Sequence, residues 1–268
     1  MTEARMQETP EYKPGTFCWV ELGTTDGNAA KKFYTELFDW TFSDSPIGPG
    51  MVYTMLKLDG KDVGALYQMP PEMTSQGIPP NWLSYASVTS ADESAAKAKE
   101  LGATLMKEPF DVMQVGRMAV IQDPTGAVFA IWQAGTHKGA GVVNEPGALV
   151  WNELATTDTA RAGAFYGGLF GWALDTKTFG PMEYTIFQNG DRGAGGMFQL
   201  TPEMAGVPSH WLVYFSVDDC DATVKKATEL GASTIKPTDD IPGVGRFAIL
   251  RDPQGAAFAV IKTEPASA

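Results

Sequence analysis

The hydrophobic pattern near the start of the chain has the two-residue period of a β-strand. Within residues 16–23 this period places Trp19 and Glu21 on one face of the predicted strand, and Val20 and Leu22 on the other. A strand with an acid beside an aromatic residue on one face and aliphatic residues on the other should separate two different environments.

From Asp26 onward the apolar residues recur at intervals of three and four, which predicts a helix with Asp26 as its N-cap. A hairpin follows, with Asp59-Gly60 as its two-residue turn. A further strand, a helix capped by Ser90 and three strands, the last two forming a closing hairpin, follow, so that both halves of a copy have the predicted order β-α-β-β-β. In the second half of the chain we expect Asp218 to take the place of Ser90.

The whole pattern occurs twice. The segment WVELGTTD at 19–26 returns as WNELATTD at 151–158, and DPTGAVF at 123–129 returns as DPQGAAF at 252–258. Similarity sustained over such a length indicates duplication of one structural unit.

The length of 268 residues is enough for two hydrophobic cores, and contents of 44% hydrophobic and 19% charged residues are typical of a globular protein. We predict a flexible tail at 1–14, a first domain at 15–134, a Gly-rich linker at 135–145, a second domain at 146–263 and a tail at 264–268.

The charge balance argues against several classes of partner. Lys and Arg number 20 against 32 Asp and Glu, so the net charge is -12, and we expect neither nucleic acid nor a membrane as partner. The two cysteines lack a CxxC spacing, and no signal peptide or membrane-spanning pattern is present. These features predict a cytoplasmic protein.

Two motifs, each present in both copies, resemble those of a known family. The first helix ends in FYTELFDW at 33–40 and FYGGLFGW at 165–172, and the last hairpin contains Asp-Pro-x-Gly-Ala-x-Phe-Ala from Asp123 and from Asp252. With four β-α-β-β-β units, the chain resembles the vicinal oxygen chelate superfamily, which includes glyoxalase I, extradiol dioxygenases and bleomycin-resistance proteins. The resemblance implies an α+β fold in which each of two tandem domains curves a mixed sheet around a cavity, with the helices outside.

Metalloenzymes of that superfamily hold a cation with imidazole or carboxylate groups that point into the cavity. At the corresponding positions this chain has indole, isobutyl and methyl groups, which cannot coordinate a divalent cation. Those positions are Trp19, Leu83 and Ala130 in the first copy and Trp151, Leu212 and Ala259 in the second. The sequence has only two histidines, His137 in the linker and His210 beside Trp211. We therefore expect no bound metal, and no nucleotide-binding motif indicates another cofactor.

One acid stands on the predicted cavity face of each copy, Glu21 in the first and Glu153 in the second. A carboxyl group half buried among aromatic residues binds its proton more tightly unless a cation compensates it. Two alternatives remain open. The acids either form ion pairs with Arg117 and Arg246, or they face a ligand as an anchor or a general base.

Aromatic residues at positions predicted to line the cavity indicate a pocket for a flat, largely apolar ligand. With the two arginines and one histidine added, the candidate ligand-binding residues are Trp19, Trp151, Tyr53, Tyr184, Trp82, Trp211, Tyr85, Tyr214, Arg117, Arg246, Trp132 and His210.

Three functions are compatible with this reading. The favoured one is a metal-free protein that binds a small apolar or aromatic molecule, as bleomycin-resistance proteins sequester a drug. The second is a metal-independent isomerase, lyase or auxiliary hydroxylase with Glu21 or Glu153 as general base, and the third is a metal-dependent glyoxalase or dioxygenase. Because duplication supplies within one chain the pairing that single-domain relatives achieve as dimers, we expect a monomer or a weak homodimer. Whether the cavities form within or between the copies stays open.

Overall fold

A computed structural model describes residues 12–179 and 182–264, and these residues form two eight-stranded mixed sheets. Each sheet takes all its strands from one copy of the repeat, so the fold is α+β with two tandem domains. Most of the predicted tails, residues 1–11 and 265–268, lies outside the described part of the chain. Within the described residues, no helix is long and apolar enough to cross a membrane.

The first sheet has the strand order β2-β3-β4-β1-β5-β8-β7-β6. Its strands are β1 (Phe17–Thr24), β2 (Thr41–Gly48), β3 (Met51–Leu58), β4 (Lys61–Gln68), β5 (Asn81–Ser87), β6 (Thr104–Val112), β7 (Gly116–Gln122) and β8 (Val128–Ala134). The helices of this copy are α1 (Gly27–Phe38), α2 (Pro71–Ser75) and α3 (Ala91–Glu100). Strand β1 lies at the centre, parallel to β4 and antiparallel to β5. The pairing of β1 with β5 joins the two β-α-β-β-β units into one sheet.

The second sheet repeats this order as β10-β11-β12-β9-β13-β16-β15-β14. Its strands are β9 (Leu149–Thr156), β10 (Ala173–Phe179), β11 (Met182–Asn189), β12 (Arg192–Gln199), β13 (His210–Ser216), β14 (Ser233–Ile241), β15 (Gly245–Arg251) and β16 (Ala257–Thr263). The helices are α4 (Thr159–Phe170) and α5 (Cys220–Glu229), and a short 3₁₀ turn (Pro202–Met204) replaces α2.

The caps and turns follow from local chemistry. The Asp26 side chain accepts a hydrogen bond from the Ala29 N–H, and the Ser90 hydroxyl accepts one from the Glu93 N–H, as predicted for these N-caps. In the second copy the cap of α5 is Asp219 and not Asp218, because it is the Asp219 carboxylate that reaches the Ala222 N–H.

The hydrophobic core on the helix side of the sheets is shared between the copies. One cluster joins α1 and the backs of β1 and β4 to α5, β13 and β16. A second cluster, related by the duplication, joins α3, β7 and β8 to α4, β9 and β12. Helices α1, α3, α4 and α5 therefore bury their apolar stripes in cores to which the other copy contributes. The opposite face of each sheet stays outside these two shared cores.

A buried hydrogen bond ties each copy to the other. The Tyr34 hydroxyl donates to Asp252 Oδ2 at 2.9 Å and accepts from Trp82 Nε1 at 2.9 Å. The Tyr166 hydroxyl likewise donates to Asp123 Oδ2 at 2.8 Å. In each case the tyrosine of the helix-end motif in one copy bonds the aspartate of the Asp-Pro turn in the other copy.

We expect Tyr34→Phe to lower the free energy of unfolding by about 1–3 kcal/mol, because it leaves the Trp82 N–H without a buried acceptor and Asp252 Oδ2 without a donor. Tyr166→Phe should have a similar effect. Urea denaturation measures both.

Tyr67→Phe is the matched control, since that hydroxyl contacts only Met73 Sδ at 3.9 Å and the second copy has Phe198 at the equivalent place in its strand. A loss from Tyr67→Phe as large as that from Tyr34→Phe would contradict the importance of the contact between copies.

Candidate functional site

The sheet face opposite the helices carries Trp19 and Glu21 in the first copy, as the strand period predicts. Trp19 packs there with Tyr85, Met118 and Trp132, in a cluster that contains no residue of a described helix. In the second copy Trp151 takes the same place, next to a cluster of Leu212, Tyr214, Phe247, Ala259 and Ile261.

Two tyrosines hold the acid of the first copy. The Tyr53 hydroxyl on β3 donates to Glu21 Oε2 at 2.6 Å, and the Tyr85 hydroxyl on β5 donates to Glu21 Oε1 at 3.0 Å. Trp19 lies two residues before Glu21 on the same face of β1. The carboxyl group therefore stands between two donors from neighbouring strands, and its orientation is fixed from both sides.

The second copy repeats this network. The Tyr214 hydroxyl donates to Glu153 Oε1 at 2.7 Å, and Trp151 Nε1 donates to the Tyr184 hydroxyl at 2.9 Å. Burial, and then the nearby Glu153, raises the pKa of Tyr184 well above 10.0. The Tyr184 ring lies so close across Gly196 that a Cβ at this position would collide with it. Glycine at 196, where the first copy has Ala65, lets the ring lie against the strand.

Burial raises the pKa of Glu21 and of Glu153 above the ordinary value of 4.5, and the hydrogen bonds from the tyrosines only partly oppose it. Burial, and then the nearby Glu21, raises the pKa of Tyr85 well above 10.0. The tyrosines therefore keep their protons and act as donors. Each acid can take up or release a proton at a pH higher than an exposed glutamate would.

Of the two alternatives for these acids, ion pairs with Arg117 or Arg246 are wrong. Arg117 donates to Asp92 and Asp111 at 2.8 and 3.0 Å on the outer surface. Arg246 makes the equivalent contacts with Asp221 and Asp240. Strand β7 sends Met118 into the cavity, so by the two-residue period Arg117 must point toward the helices. No cation compensates the two acids among the described residues.

The placement of Trp82 and Trp211 in the cavity is also wrong. Trp82 belongs to the helix-side core and bonds the Tyr34 hydroxyl, and Trp211 bonds the Tyr166 hydroxyl in the same way. The next residues along these strands, Leu83 and Leu212, point toward the cavity face instead.

The other candidates lie on or beside the cavity face. Trp132 is part of the first cluster and donates from Nε1 to the His137 carbonyl at 3.0 Å. His210 is half-buried at the start of β13, two residues before Leu212 on the same face, and its Nδ1 is 2.8 Å from the Pro208 carbonyl. The sequence interpretation missed His137, whose ring packs edge-on against Trp19 with 4.5 Å between ring centroids. Nothing in the local pattern of the linker indicates that contact.

The residues at the superfamily's metal positions do not fit a metal. Trp19, Leu83 and Ala130 lie together on the cavity face of the first copy, and the second copy has Trp151, Leu212 and Ala259. Indole and aliphatic groups offer no ligand, and the described residues hold no cluster of three or more His, Cys, Asp or Glu side chains that could bind a metal ion. The neighbours of the one acid in each copy are tyrosines, and no second acid or histidine stands beside it to coordinate a metal among the described residues.

A groove of about 500 Å³ opens against Trp151, between β9, β12, the segment before β1 and the end of the linker. Glu153 is not among its lining residues. Trp151, which lines the groove, donates its indole N–H to the Tyr184 hydroxyl. The groove therefore touches the network at Trp151 and does not include the acid.

Both halves of the chain match family models of one superfamily. Residues 16–131 match the Glyoxalase/Bleomycin resistance protein/Dioxygenase superfamily, and residues 151–261 match a glyoxalase-like domain. The chain belongs to this superfamily, with one of its domains in each half.

Relatives extend over nearly the whole chain. The chain is 46% identical over 262 residues to "Putative glyoxylase CFP32" of Mycobacterium tuberculosis, covering 97% of this chain and 99% of the relative. It is 38% identical over 265 residues to the anthracycline biosynthesis protein DnrV of Streptomyces peucetius, covering 94% of each.

Among solved structures, the Mn(II)-bound glyoxalase of Novosphingobium aromaticivorans superposes with a TM-score of 0.65 at 14% identity, covering 93% of this chain and 82% of that one. The 2,3-dioxygenase LapB of Pseudomonas sp. KL28 also gives 0.65, at 10% identity, covering 97% of this chain and 96% of that one. At these identities the likeness shows the fold alone.

Replacing both acids in the variant Glu21→Gln/Glu153→Gln should stabilise the protein more at pH 8 than at pH 4. The raised pKa means that the folded protein keeps protons that the unfolded chain releases above about 4.5. The wild type therefore loses stability as the pH rises from that value through the folded-state pKa, and glutamine does not.

Chemical denaturation of both proteins at each pH measures this effect. Any constant cost of the altered hydrogen bonds cancels in the difference between the two pH values. A difference that is the same at pH 4 and pH 8 would show that the acids titrate normally.

Proposed function

We propose that the protein binds, without a metal, a flat and largely apolar or aromatic molecule in its domain cavities. The observation that carries this proposal is the network of Trp, Tyr, Glu and Tyr on the cavity face of each copy, where superfamily metalloenzymes place metal ligands. Aromatic rings offer stacking surface, and the acid with its tyrosines offers a polar anchor for one or two ligand oxygens.

The relative named an anthracycline biosynthesis protein supports a class of ligand. An anthracycline has a planar, fused aromatic body with hydroxyl and carbonyl groups along its edges. Such a molecule matches both parts of the network, because the rings can lie against the indole and a hydroxyl can donate to the carboxyl group. We therefore take aromatic polyketides of this shape as the first ligands to test.

Isothermal titration of the wild-type protein with an anthracycline such as daunorubicin should give saturable binding. If the acids anchor the ligand, Glu21→Gln/Glu153→Gln should weaken the affinity about tenfold or more, since hydrogen bonds to a charged group contribute roughly 1.5–3 kcal/mol.

The matched control makes the same chemical change on the surface, in the variant Glu36→Gln/Glu229→Gln, whose two side chains are largely exposed on helices α1 and α5. Its affinity should equal that of the wild type. No binding across a panel of aromatic polyketides and other aromatic metabolites by a folded protein would refute the proposed function.

A second candidate function is a metal-independent isomerase, lyase or auxiliary hydroxylase. The specific observation that favours it is the raised pKa of Glu21 and Glu153, since a carboxylate of higher proton affinity is a better general base near neutral pH. The acid would remove a proton next to a ligand carbonyl and return it elsewhere, while the two tyrosines keep the carboxyl group oriented.

The same double variant distinguishes the two functions. If the acids act as bases, Glu21→Gln/Glu153→Gln should abolish conversion of the bound polyketide, followed by mass spectrometry or NMR, while affinity stays close to that of the wild type. Conversion that survives the double change would exclude this mechanism.

A further inference from the structure

The linker covers the cavity end of the first domain. The Ala140 N–H donates to the Cys18 carbonyl at 2.8 Å, and the Gly141 N–H donates to the Asp62 carbonyl at 2.6 Å, so this segment lies against the starts of β1 and β4. His137 packs its ring edge-on against Trp19, with the ring centroids 4.5 Å apart.

The backbone of His137 is held in this position by two hydrogen bonds. The His137 N–H donates to the Val115 carbonyl at 3.1 Å, and the His137 carbonyl accepts from Trp132 Nε1 at 3.0 Å. Its Nε2 is buried and has no partner among the described residues. Under this cover Trp19 is only 4% exposed.

In the described part of the chain, the same region of the second domain contains a groove. Val150 and Gly193 stand where the first domain has Cys18 and Asp62, and both line the groove of about 500 Å³ described above. No described segment crosses this groove as the linker crosses its counterpart. Trp151 is half-buried there, whereas the other six tryptophans are between 4% and 6% exposed.

The rim of the groove carries two cations. Lys13 and Arg192 are exposed and line it together with Asp191. Neither cation forms an ion pair with an acid in the part of the chain that the structure describes. In a protein of net charge -12, two unpaired cations at one opening favour an anionic or oxygen-rich group on the incoming molecule.

We propose that the two domains are not equivalent: the ligand binds only to the second domain, as a flat aromatic molecule carrying an acidic group that enters along Trp151 between Lys13 and Arg192, while His137 closes the first domain. This inference rests on the proposed function for the existence of a ligand. The difference in accessibility between the two cavities can be tested without one.

Quenching of tryptophan fluorescence by acrylamide tests accessibility. Because Trp151 is the one half-buried tryptophan, Trp151→Phe should remove most of the readily quenched emission, and Trp19→Phe should leave it in place. His137→Ala should add a second quenchable component from Trp19. His137→Leu, which fills the same space, should not.

Titration with anthraquinone-2-carboxylate, a planar aromatic anion, tests where the ligand binds. We expect one site per wild-type chain. Arg192→Gln should weaken binding about two- to fivefold, the range of an exposed charge contact, and more at low than at high salt. The control Arg161→Gln removes an exposed arginine on α4 away from the groove and should not change the affinity. Gly193→Leu should block the groove, because even a Cβ there comes within 3.0 Å of the Trp151 ring.

The outcomes separate the two proposals. Two sites per chain, equal effects of the two arginine changes, or quenching that survives Trp151→Phe would overturn the inference and leave the proposed function standing. If quenching is as expected but neither this probe nor any polyketide binds, the proposed function is refuted, and the binding part of the inference with it. The difference in accessibility between the two tryptophans would still stand.

Discussion

The structure depends on one buried contact made twice, the hydrogen bond from a tyrosine of one copy to an aspartate of the other. Each aspartate already accepts backbone N–H groups of its own Asp-Pro turn, as Asp252 Oδ1 does from Ala256 at 2.9 Å. Its second oxygen is therefore directed at the tyrosine. A buried carboxyl group is stable only when its lone pairs are used, so turn and helix from different copies must meet.

This constraint decides where the cavities can form. Because helices of both copies pack into two shared cores, the helix-side faces of both sheets are buried between the copies. The opposite faces stay outside these cores, and the groove at Trp151 is lined partly by Thr16 and Phe17 of the first copy. The pleat of β1 then divides its residues between the two roles, with Val20 and Leu22 in a shared core and Trp19 and Glu21 toward the cavity.

Much of this was predictable from the sequence. The strand period gave the correct faces for Trp19 and Trp151, and the repeat gave the order of elements. The error over Trp82 was avoidable, since Leu83 cannot face the cavity unless its neighbour faces away. The pairing of Arg117 with Asp92 was not predictable, because the two residues approach only when α3 packs on β7.

The linker shows why two nearly identical networks need not be two equal sites. Duplication gives each copy its tryptophan, tyrosines and acid, but His137 to Gly141 of the linker pack against the first copy, and no described segment packs in the same way against the second. The strand ends also differ in sequence, because Gly193, the counterpart of Asp62, has no side chain to cover the Trp151 indole. Residues retained in both copies therefore have different surroundings in the two domains, since Trp19 is 4% exposed beside the linker and Trp151 is half-buried at the groove.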